Sequence, residues 1–297
     1  MHVKRFLGSA WASVHGPADA RRLLIWALEA KFAGLAPAPG PRSLDWAALA
    51  AAASDLPFDF APVRAGSVFA ERSATAGLAS QKDGERQAAA AAVQLAVATA
   101  RAVGCPRVVF EPGLVPLFGE IECEDLGDAT YQWTHERAHA LLARRKAARN
   151  AALDRACRSV FALAKAFPDI EFCLSTGRSL RAVADRDSLR DLFEDLHQLK
   201  LGSWHDAAVC ARREQVWAEP QGEWLELFGK RCWGMSLGDA SADGLYQPPG
   251  SGGVDYGLLA SYVRRTGAPT PVVLELDPSV SPGELSGMRS CLDKFGL

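Results

Sequence analysis

Short apolar runs alternate along this chain with longer stretches whose apolar residues recur every three or four positions. "PRVVFEPG" (106–113) and "DIEFCLSTG" (169–177) are too short for helices, are rich in β-branched and aromatic residues, and end at Pro or Gly. "DGERQAAAAAVQLAVATARAVG" (83–104), closed by Gly104, and the stretch 135–166 carry the helical period. The same reading places strands in 4–11, 31–39, 57–66, 200–208, 230–240 and 270–279. Helices fall in 17–30, 43–56, 187–199, 223–229, 255–267 and 281–296. For helix 43–56, Ser43 reads as the N-cap with Asp45 in the first turn. An acidic insert, roughly 114–134, interrupts the alternation. Eight strand–helix pairs predict an α/β fold, a single (β/α)8 TIM barrel over residues 1–297, in preference to an open doubly wound sheet. No Gly-x-Gly-x-x-Gly follows a strand, and "GSGG" (250–253) lies in a Pro/Gly loop, so no dinucleotide site is expected.

Composition agrees with a soluble globular protein. Hydrophobic residues make up 48% and charged residues 23%. The net charge of −2, with no block of Lys and Arg, argues against nucleic acid or an anionic membrane as partner. No uncharged apolar run reaches 18 residues, and "MHVKRFLGSAWASVHG" lacks the apolar core of a signal peptide. The seven cysteines include no Cys-x-x-Cys pair, which fits buried free thiols and a cytoplasmic location. Trp133 and Trp217, read as loop residues, are candidates for an oligomer interface.

In such a barrel the chemistry sits at the C-terminal ends of the strands. The polar residues there are Arg64 on the third strand, Glu111 on the fourth, Ser175 on the fifth and Asp206 on the sixth. The seventh supplies Ser236 and Asp239, and the eighth Glu275 and Asp277. Side chains alternate between the faces of a strand, so His205 and Asp206 cannot both enter the mouth without a bulge. Arg64 suits either an anionic substrate group or neutralisation of the inner carboxylates. His135, Glu136 and His139 match His-Glu-x-x-His, but no third ligand follows and the helix is strongly charged, so a solvated surface is expected there.

Four segments resemble the xylose isomerase-like barrels, a superfamily of sugar isomerases, sugar and sugar-phosphate epimerases and type IV apurinic endonucleases. They are "LASQKDGERQAAAAAVQLAVATARAVGCPRVVFEPG", "LGSWHDAAV", "WGMSLGDASADGLYQPPGSGGVDYGLLASYVRRTG" and "PVVLELDPS", in the family's order. The resemblance implies a divalent cation (Mn, Mg or Zn) held by a Glu, an Asp, a His and a Glu on strands five to eight. The cation would polarise a substrate carbonyl while the two Glu move a proton. Here those positions fall on Ser175, Asp206, Ser236 and Glu275, so two of the four ligands remain, and the His usual three residues after the Asp is Val209. The metal is therefore expected to be weak or absent, with Asp206 and Glu275 its only ligands. Asp206 is open to a metal on one side, and to Arg64 or another buried donor on the other.

Two readings follow. The first is a sugar or sugar-phosphate isomerase or epimerase with a rewired site, its activity altered or metal-independent: Glu275, Asp206 and Glu111 act, and Arg64, Ser175, Ser236 and Asp239 bind a small polar or sugar-like ligand. The second is a non-catalytic barrel whose mouth binds such a ligand or a protein partner. A DNA-repair role would need more His ligands and a basic groove.

Overall fold

A computed structural model describes residues 3–40, 44–70, 73–265 and 270–297. The strands are β1 (Arg5–Gly8), β2 (Gly34–Ala36), β3 (Asp59–Phe60), β4 (Val63–Arg64), β5 (Arg107–Phe110), β6 (Glu171–Ser175), β7 (Leu201–Asp206), β8 (Cys232–Leu237), β9 (Asp239–Ser241), β10 (Gly244–Gln247) and β11 (Val272–Leu274). Nine of them form one sheet in the order β3-β2-β1-β11-β8-β7-β6-β5-β4, every pair parallel. β3 and β4 are two pieces of one extended segment. Ala61 N donates to Leu35 O at 2.9 Å, and Ala65 N to Val109 O at 2.8 Å. The segment thus bonds to both neighbours and closes a ring of eight strand positions, the predicted barrel.

The helices are α1 (Ser9–His15), α2 (Ala20–Glu29), α3 (Trp46–Ala53), α4 (Asp83–Ala102), α5 (His135–Ala166), α6 (Arg186–Asp195), α7 (Ala207–Trp217), α8 (Gln221–Phe228), α9 (Tyr256–Arg265) and α10 (Leu285–Phe295). α5 spans the predicted range. Ser43 lies outside the described residues; Asp45 itself is the N-cap of α3, accepting from Ala48 N at 3.0 Å.

Three features depart from the sequence reading. The first strand stops at Gly8, and Trp11 is buried in α1, donating to Val280 O at 2.9 Å. α7 was not foreseen: its Ala-rich start reads as strand, but Asp206 ends the strand by capping the helix, accepting from Val209 N at 3.2 Å. β9 and β10 form an antiparallel hairpin that folds back toward the mouth.

The barrel interior is packed with side chains. Phe6, Ala36, Ala61, Val109, Cys173, Trp204 and Val273 form one cluster with Trp233 against it. Gly202 and Gly234 make room for the two indoles, since a Cβ at either would overlap Trp233 or Trp204 respectively. All seven cysteines are free and four are buried. Trp133 and Trp217 are half-buried against their own chain and Trp217 closes α7, so neither is the exposed loop tryptophan expected. Among the described residues no helix is long and apolar enough to cross a membrane.

Candidate functional site

The strand ends bring Arg64, Asp206, Ser236 and Glu275 together above Trp204, all four buried. Trp204 Nε1 donates to Ser236 Oγ at 2.9 Å, so the barrel plug supports the floor of the site. Arg64 Nη2 lies 3.4 Å from Ser236 Oγ and 3.7 Å from Asp206 Oδ2. Asp206 also accepts from the Tyr246 hydroxyl at 3.1 Å. Glu275 lies against Gly8, where a Cβ would overlap its carboxylate. Glu111 is half-buried and lies against Gly177 in the same way. In the ring, Glu111 follows the fourth strand position and Glu275 the eighth, so they stand at opposite positions of the ring.

One guanidinium thus serves three carboxyls. Burial pushes Glu275 up to about 7; Arg64 opposes this and Asp206 adds to it. Glu111 is pushed up to about 7 by burial, with Arg64 again opposing and Asp206 adding. Asp206 is raised by burial, against the pull of Arg64, the Val209 N–H and the Tyr246 hydroxyl. Burial disfavours the charge on Arg64, but Asp206, Tyr246, Glu275 and Glu111 together outweigh it and raise its pKa.

The remaining predicted residues lie elsewhere or serve the chain. Both oxygens of Asp239 accept backbone N–H groups, Oδ1 from Ala240 and Val254 and Oδ2 from Gly250, which anchors the 248–254 loop. The Ser175 hydroxyl donates to Thr176 O at 3.1 Å. Asp277 caps a turn through Ser279. His205 is buried on the other face of its strand, 3.9 Å from Cys210 Sγ, with burial lowering its pKa to about 4. The register of β7 on β8 shifts between Ser203 and Trp204. That shift precedes His205 and leaves Asp206 alone in the mouth. His135 and His139 are exposed on α5, and among the described residues no group of three or more His, Cys, Asp or Glu could hold a metal.

Sequence reasoning missed the roof. Tyr246 reaches Asp206 from the hairpin with φ of 62°, and Phe69 packs edge-on against its ring at 5.1 Å. Arg178 pairs with Asp125 through two bonds of 2.7 Å and donates to Val68 O at 2.9 Å, tying the acidic insert to the mouth. Glu111 and Arg178 line a small opening of about 40 Å³. Beside it, over strand positions one to three, lies a cavity of about 560 Å³ lined by Ser9, Pro39, Ser67, Phe69 and Pro278. Ser67 and Ala70 border both spaces. Neither Phe69 nor Tyr246 belongs to a motif that marks it in the sequence.

No protein-family profile and no curated protein matches the chain. Solved structures do. A D-tagatose 3-epimerase-like protein superposes with TM-score 0.67 at 14% identity, over 98% of this chain and 96% of its own. A 3-keto-D-glucoside 4-epimerase from E. coli gives 0.65 at 12%, over 99% and 98%. A family 2 AP endonuclease from Brucella melitensis gives 0.65 at 14%, over 96% of each chain. At these identities the likeness is one of fold. The chain is a single-chain α/β barrel with the fold of the xylose isomerase-like barrels.

Proposed function

We propose that the protein is a sugar epimerase or isomerase that works without a divalent cation, Arg64 supplying the positive charge. The observation that carries this reading is the pair Glu111 and Glu275, at opposite positions of the ring, each pushed up to about 7 and each acted on by Arg64 and Asp206. At neutral pH such a pair is partly protonated, which lets one member act as base and the other as acid. Opposed positions suit inversion at carbon. One carboxylate takes the proton from the carbon next to a substrate carbonyl, and the electron pair moves onto the carbonyl oxygen. Arg64 N–H groups stabilise the resulting enolate oxygen. The other carboxyl then delivers its proton to the opposite face.

The donor set does not fit a resident divalent cation. Two of the four expected ligand positions are hydroxyls, Ser175 and Ser236, and a guanidinium stands 3.7 Å from Asp206. A cation there would meet like charge on Arg64. The neighbours' epimerase chemistry supports the reaction class only by analogy of fold. The 67–70 segment borders both the small opening and the larger cavity and so stands between that cavity and Glu111.

A second reading is favoured by that roof: Asp206 is already bonded to Tyr246 and Val209, and Phe69 covers Tyr246. The cluster would then be a polar core, and the barrel a binder of a small polar ligand. Incubating EDTA-treated protein with ketopentoses and ketohexoses in D2O separates the two. Deuterium entering next to the carbonyl by NMR, lost in Glu111→Gln and Glu275→Gln, supports the epimerase. Thermal stabilisation by a sugar with no exchange supports the binder and overturns the first reading.

A further inference from the structure

We propose a second site, outside the barrel between α5, α6 and α7, that binds an oxyanion, a phosphate- or carboxylate-bearing small molecule. The cleft there has a volume of about 450 Å³, and its lining holds six basic side chains against four acidic ones. The acids are already engaged. Asp185 pairs with Arg145 and caps α6 through Ser188 N at 2.7 Å; Asp187 lies 3.6 Å from Arg190; Asp191 pairs with Arg149 at 2.6 Å; Glu219 lies 3.3 Å from Arg213, and Glu223, outside the lining, pairs with Arg186.

What remains is donor capacity with no acceptor. The side chains of Arg145 and Arg213 are only 5% and 1% exposed. Among the described residues Arg145 Nε and Arg213 Nε and Nη2 have no hydrogen-bond partner. Buried, charged donors left unpaired are costly, so a lining of this kind calls for an acceptor from outside the chain. Arg213 is also held in place, its guanidinium 5.0 Å from the Trp217 ring and 5.4 Å from the Trp224 ring. A guanidinium held against two indoles loses little further freedom when it binds a ligand. Burial and the nearby charges of Arg213 and Arg149 hold Arg145 below its ordinary pKa, although Asp185 opposes them. The two guanidinium groups are thus close enough to repel, and an anion between them relieves that repulsion. Lys146, exposed one residue further along α5, has no ion-pair partner among the described residues and adds charge at the rim. A neutral sugar would leave this charge uncompensated, whereas phosphate and carboxylate oxygens match the guanidinium fork.

The test is calorimetric titration of the full chain with inorganic phosphate, pyrophosphate and citrate at constant ionic strength, with chloride as control. One of the three should bind saturably, phosphate and pyrophosphate against citrate telling a phosphate site from a carboxylate site. Lys146→Glu, a change on an exposed helix face, should weaken that binding about tenfold or more. Arg213→Gln, with folding checked by circular dichroism, should abolish it, while Glu275→Gln in the barrel mouth should leave it unchanged. Absence of saturable binding by all three anions overturns the proposal, as does binding that Lys146→Glu leaves intact. Loss of binding in Glu275→Gln would place the anion in the mouth and overturn it too.

Discussion

Glu275→Gln tests the electrostatics of the mouth without changing its shape. Glu275 is 8% exposed, and its pKa stands at about 7 against an ordinary 4.5. Between those two values the folded chain holds a proton that the unfolded chain has lost. Stability from this group is therefore full below about pH 4.5 and is lost as pH rises through about 7. Moving one carboxyl that far corresponds to about 3 kcal/mol at alkaline pH. Gln cannot ionise, so the variant escapes the loss. Urea unfolding of both proteins from about pH 5 to pH 9 gives the difference in stability at each pH, which cancels titrating groups unaffected by the substitution. The variant should gain on the parent by about 2.5 kcal/mol across that range, half of it by about pH 6, and the difference should level off above about pH 7. A flat difference would mean that Glu275 ionises as an ordinary surface acid. A difference of opposite sign would mean that its negative charge is favoured, and the crowding of three carboxyls on Arg64 would be wrong.

Arg64→Met leaves Asp206 buried without its charge partner and should cost about 3–5 kcal/mol in chemical unfolding. Adding Asp206→Asn should recover part of that, whereas strictly additive losses would show that the two side chains do not interact. Tyr246→Phe removes the hydroxyl that donates to Asp206 and should cost about 1–3 kcal/mol in the same assay; a neutral result would detach the hairpin from the site. Gly8→Ala puts a methyl into the Glu275 carboxylate and should destabilise by about 1–3 kcal/mol, a cost that thermal unfolding would detect and that is absent if Glu275 points elsewhere.

The alternation of short apolar runs and helical stretches was enough to specify the barrel, because the ring strands other than β3 are mostly buried on both faces while the helices bury one. Asp206 and Glu275 were legible as mouth residues because each directly ends or follows an apolar strand of the ring, whereas Asp239 and Asp277, two and three residues beyond such strands, bond to loop and turn instead. The boundaries after Gly8 and Asp206 were not legible, since Ser9–Trp11 and Ala207–Ala208 suit strand and helix alike and the caps and packing decided between them. Tertiary structure alone paired Arg64 with Asp206, because they lie 142 positions apart in sequence, and 3.7 Å apart in space only once the ring has closed. It likewise assigned Asp239 to a loop and brought Tyr246 and Phe69 over the mouth. Periodicity records which face of an element is buried; it does not record which partner a buried charge will find.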